Sequence, residues 1–84
     1  MKEYMVQMKP ANPEAKWRFA HSPNNVNKKV FTNYKDAVAF MDVVIGMWGF
    51  YEDKYKGLGL EIDEDFIPRK YRILRREVSK WEEV

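Results

Sequence analysis

Very few residues in this chain could perform chemistry. The single histidine, His21, stands beside Ser22. A seryl nucleophile needs a third group to orient the imidazole and a strained elbow to present its oxygen, and neither pattern surrounds this pair. His21 therefore reads as a surface or half-buried residue and not as a general base. Glu61, Asp63, Glu64 and Asp65 could address a hard cation. A calcium loop, however, alternates its ligands around a turn glycine and closes on a distal glutamate. Ile62 and Phe66 interrupt the acids and no glycine lies among them, so a solvated connector is expected. Gly57-Leu58-Gly59 lacks the third glycine and the lysine of a phosphate loop, and it follows a helical pattern where such loops follow a strand. With no cysteine there is neither a thiolate ligand nor a disulfide. A protein that is not an enzyme is expected, with no metal, no cofactor and no small-molecule substrate.

Binding chemistry is better represented. Residues 1–35 carry seven Lys/Arg against two Asp/Glu, a formal +5, and residues 36–84 carry eight against eleven, a formal −3. The basic part contains Lys16, Arg18, Lys28 and Lys29, with Lys2 and Lys9 nearby. Such a set attracts phosphates without reading sequence. These four residues are the candidate nucleic-acid-binding set, although a solvated sheet face explains them as simply. The pI of 8.9 falls just below the footprint of a dedicated nucleic-acid-binding domain. A second basic group, Arg69, Lys70, Arg72, Arg75 and Arg76, flanks Leu74, a common way to blunt an edge strand. Phe50, Tyr55 and Trp81 have no evident place in a core, and aromatic side chains are enriched at interfaces. They form the candidate protein-interaction set, for a partner protein or for self-association.

The elements that must position these residues follow from periodicity. Tyr4, Val6 and Met8 alternate with polar neighbours, which predicts a strand closed by Pro10 and Pro13. Over 16–21, Trp17, Phe19 and His21 share one face and Lys16, Arg18 and Ala20 the other. Ser22-Pro23-Asn24-Asn25 is a turn signal, and Lys28–Phe31 is a short third strand or the tail of the loop. Thr32 is the expected N-cap of a helix whose apolar stripe runs through Ala37, Phe40, Met41, Val44, Ile45, Trp48, Tyr51 and Tyr55. Gly46 and Gly49 either shorten that helix to 33–48 or let another backbone pack close. In the tail, Ile67, Tyr71, Leu74, Val78 and Trp81 fit a helical spacing. A helix there would start on Arg69, Lys70 and Arg72 and end on Glu82 and Glu83, opposing the macrodipole at both ends. A single strand is therefore predicted over Lys70–Val84, bulged between its two apolar faces, pairing antiparallel with the first and covering the sheet edge.

Trp17-Arg18-Phe19, an Asn/Lys turn, Lys28-Lys29-Val30-Phe31-Thr32 and the helix opening Tyr34-Lys35-Asp36-Ala37 resemble the arm-binding domain of phage and transposon integrases. The resemblance covers about residues 4–48. It implies a strand-strand-strand-helix order and a sheet laid in the DNA major groove. The Arg-rich tail ending in Trp81-Glu82-Glu83-Val84 departs from that pattern and is similar to short bacteriophage accessory proteins. That likeness implies a regulator or inhibitor of another protein.

Residues 1–84 are thus expected to form one α+β domain, a three- or four-stranded antiparallel sheet packed against one long helix in the order β-β-(β)-α-β. Tyr4, Val6, Met8, Trp17, Phe19, Phe31, Phe40, Met41, Val44, Ile45 and Trp48 are its expected core. The longest apolar run, Val43–Ile45, is far short of the roughly 20 residues that span a bilayer, and no apolar leader is seen. A cytoplasmic setting without membrane contact is expected. The leading functional reading is a protein-interaction module; the alternative is nucleic-acid binding by the basic amino-terminal sheet.

Overall fold

The alternation read at the amino terminus produces strand β1, Glu3–Lys9, which becomes the scaffold of the molecule. The computed structural model describes residues 2–77 and 80–84. After β1 come β2 (Arg18–Phe19), the helix α1 (Tyr34–Gly57), β3 (Lys70–Arg76) and β4 (Glu82–Glu83). The strands form one antiparallel sheet in the order β2-β1-β3-β4, with α1 packed on one face. This is the expected α+β architecture.

The tail is extended and not helical, but it is two strands, β3 and β4, in place of the one expected over 70–84, and β3 does not cover an edge. β3 pairs with β1 over seven positions, from Glu3 opposite Arg76 to Lys9 opposite Lys70, and β4 lies outside it. No bulge is needed: Tyr71 and Ile73 sit opposite Met8 and Val6, while Leu74 sits opposite Met5 on the other face. Val78, part of the helical spacing, lies outside the described residues. The stretch 28–31 is reduced to a single bridge, in which Tyr4 and Phe31 exchange two backbone hydrogen bonds of 2.7 Å.

Asn33, not Thr32, caps α1. Its backbone is extended, at φ −129° and ψ 129°, and its Oδ1 accepts from the Lys35 amide at 2.8 Å. The helix then runs through Gly46 and Gly49 to Gly57, so these glycines do not shorten it. Nor, among the described residues, does another part of the chain pack against them, since a Cβ at either would meet nothing within 4 Å. Where the helix ends, the Leu60 amide donates to the Tyr55 carbonyl, and Gly59 takes φ +74°, a conformation strained for other residues.

Val6, Met8, Ala20, Ala37, Val44, Trp48, Ile67 and Ile73 form the core, with Tyr4, Phe31, Phe40 and Met41 packed against it. Three expected members are elsewhere. Ile45 is 42% exposed because it stands on the flank of α1, off the inward stripe. Trp17 and Phe19 lie on the opposite face of the sheet: Phe19 pairs with Gln7, and Arg18 pairs with Met8 on the helix side. The inward residue of that segment is Ala20, 1% exposed, whose amide donates to the Val6 carbonyl. A small residue is needed there because the Trp48 indole already fills the space and donates from Nε1 to the His21 carbonyl at 2.7 Å.

Candidate functional site

α1 carries two apolar stripes. Ala37, Val44 and Trp48 turn inward and are buried. Val43, Met47 and Phe50, at the three- and four-residue spacings that share a helix surface, turn outward and are 58%, 40% and 72% exposed. The loop after β2 runs beside this second stripe and converts it into a groove. One part, of about 150 Å³, is lined by Pro23, Asn24, Met47, Phe50, Tyr51 and Tyr55, with Lys54 at its edge. The adjoining part, of about 330 Å³, shares Asn24 and Met47 and adds Phe40, Val43 and Val44, with Lys29 at its edge. Lys29 and Lys54 are the charged side chains lining the two parts. Gly46 falls between Val43 and Phe50 on the same surface.

Phe50 and Tyr55 therefore share one groove, where the Tyr55 ring packs against Tyr51 at a tilt of 47° with centroids 4.5 Å apart. Trp81 does not join them. Arg76 lies over its ring at 4.6 Å, on the sheet face away from the helix. The four basic candidates are also divided. Arg18 stands on the helix side, where Nη2 donates to the Phe66 carbonyl at 3.5 Å. Lys29 lies over Phe40, and Lys28 lies over Phe19 on the opposite face. Lys16 is exposed just before β2.

The face of the sheet that α1 leaves open holds residues the basic set missed. Register places Glu3, Met5, Gln7 and Lys9 of β1 beside Arg76, Leu74, Arg72 and Lys70 of β3. The Arg72 guanidinium lies 4.2 Å from the Trp17 ring centroid, and Lys9 lies 5.6 Å from it. Arg72 also donates from Nε to Gln7, and Arg76 donates from Nε to Glu3. Simple alternation along Lys70-Tyr71-Arg72-Ile73-Leu74 marked Lys70 and Arg72 as outward once residue 73 was placed inward.

Arg69 is a structural tie and not a free cation. Its Nη1 donates to Glu52 Oε1 at 2.9 Å, its Nη2 also reaches Glu52, and its Nε and Nη2 hold Glu64 at 3.2 and 3.1 Å. These hydrogen bonds and the Lys56 ammonium beside it lower the Glu52 carboxyl to about 2. Burial raises the Tyr71 phenol to about 12. Glu64 is thus engaged, and Asp63 caps its own turn through the Asp65 amide. No metal-binding cluster of acids or histidine occurs among the described residues. His21 Nδ1 sits 2.8 Å from the Ser22 carbonyl, so that nitrogen carries the proton and donates. The ring packs edge-on against Trp48. Among the described residues no helix is long and apolar enough to cross a membrane. No protein-family model, no curated protein and no solved structure matches this chain.

Proposed function

We propose that this protein is a non-enzymatic protein-interaction module that docks an apolar, acidic segment of a partner along the outer stripe of α1. The observation that carries this reading is the exposure of Val43, Met47 and Phe50 in one line beside a preformed groove. Contiguous exposed apolar surface on a small domain marks a contact. From Phe40 to Lys54 the stripe extends about 21 Å at 1.5 Å per residue, enough for roughly four turns of a partner helix. Lys29 and Lys54 rim the groove and favour acidic residues on the incoming segment. The same lysines oppose a symmetric pairing of two copies, which would bring like charges together at the rim.

A titration with two synthetic amphipathic peptides tests this reading. One has a leucine stripe flanked by glutamate, and the other has lysine in place of glutamate. The amide resonances of Val43, Met47 and Phe50 should shift with the glutamate peptide and far less with the lysine peptide. Shifts centred elsewhere, or equal responses to both peptides, would overturn the proposal. So would sedimentation showing a dimer that Phe50→Ser dissolves, because the occupant would then be a second copy.

A further inference from the structure

We propose that the open face of the sheet binds single-stranded nucleic acid, separately from the groove on α1. Across that face the two central strands carry the cations and the two outer segments carry the aromatics. Lys9, Lys70, Arg72 and Arg76 come from β1 and β3, against Glu3 in β1 and Glu83 in β4. Trp17 and Phe19 flank them on the β2 side, and Trp81 flanks them beside β4. The two arginine–tryptophan pairs stand four residues apart along β3, about 13 Å, with Met5 and Leu74 as an apolar floor between them.

This pattern matches what an unpaired strand offers. Phosphates need cations whose charge is not already cancelled, and bases need flat rings on which to stack. Arg72 answers the first need: its Nε partner is the neutral Gln7 amide, and it belongs to none of the protein's ion pairs among the described residues. Lys70 is exposed beside it. Lys9, 8% exposed, adds charge from below and does not itself reach a ligand. Trp17, Phe19 and Trp81 are each half-buried at the two margins with Arg72, Lys28 and Arg76 over their rings, so that a base can stack on a guanidinium plane or displace the cation. A duplex could use the cations but not the rings, since its base faces are already stacked.

The test is a salt series with labelled oligothymidylate of about a dozen nucleotides, alongside a hairpin duplex of equal length, read by anisotropy and by tryptophan quenching. The single strand should bind more tightly than the duplex at about 50 mM salt and quench tryptophan emission. Arg72→Gln and Lys70→Gln should each flatten the log–log salt slope by roughly 0.7. Trp17→Ala should weaken affinity by about tenfold with the slope retained, as lost stacking does. Phe50→Ser, on the other side of the molecule, should change nothing. Absence of binding at micromolar protein, tighter binding of the duplex, or a slope unaffected by both charge variants would overturn the proposal. Equal competition by polyglutamate of matched charge would do so too, because the face would then serve an acidic protein.

Discussion

The inner and outer stripes of α1 contain the same kinds of residue and meet opposite fates. Val44 is 1% exposed and Val43 is 58% exposed; Trp48 is 3% exposed and Phe50 is 72% exposed. Residue type does not separate them. What separates them is the sheet, which has room for one stripe only. The inner stripe accounts for the fold. The outer one, with Gly46 between Val43 and Phe50, has no counterpart among the described residues. A helix built for stability alone would carry polar residues and alanine there.

The largest break in this comparison should come from the inner stripe. Trp48→Ala removes a buried indole and the hydrogen bond to the His21 carbonyl, and should cost about 3–5 kcal/mol in chemical denaturation. An unchanged midpoint would refute the core assignment. A pH-dependent loss follows at the tie between α1 and the connector. The Glu52 carboxyl is lowered from 4.5 to about 2, so the stability it contributes is complete above about 4.5 and is lost as pH falls toward 2. Arg69→Gln should flatten stability against pH across that window; an unaltered acid limb would show that the tie does not matter.

Smaller effects sharpen the contrast. Asn33→Ala removes the cap and should lower stability by about 1 kcal/mol in thermal melts. Gly46→Ala should raise it by about 0.5–1 kcal/mol, since the new methyl meets nothing. The same variant should weaken the glutamate peptide, because that methyl would stand where a partner helix approaches. A stabilised variant that binds undiminished would separate Gly46 from the docking surface. Phe50→Ser should leave the melting curve within about 0.5 kcal/mol while abolishing peptide binding; a large loss of stability would move Phe50 into the fold.

The order of elements and the strand at 70–76 were legible because their signals are local: period-two alternation in 4–8, and charges that oppose a helix dipole in the tail. The faces of residues 16–20 were not. Alternation separates two faces without saying which one the helix covers, and the bulkier pair, Trp17 and Phe19, drew the core assignment. Packing chose Ala20 because Trp48 had taken the volume. Ile67 was missed as core because the one pattern that marked it was the helical spacing set aside for the tail; it lies in the connector before β3 and is 1% exposed. The groove was half legible: Phe50 and Tyr55 stood out as surplus aromatics, but Pro23, Asn24 and Met47 join them only through the course of the loop. Trp81 carried the same signal and ended on the other side of the sheet, because surplus says nothing about location.

The pairing of β1 with β3 joins residues as far as 73 positions apart, Glu3 with Arg76. On the ribosome, β1 is made first and its principal partner long afterwards. α1, whose hydrogen bonds are all local, emerges in between. For that interval Val44 and Trp48 have no finished sheet to lie on, and both stripes of the helix face water together. In that interval the nascent chain shows two adhesive surfaces where the folded one shows one, and covering the inner surface waits for β3 to pair with β1.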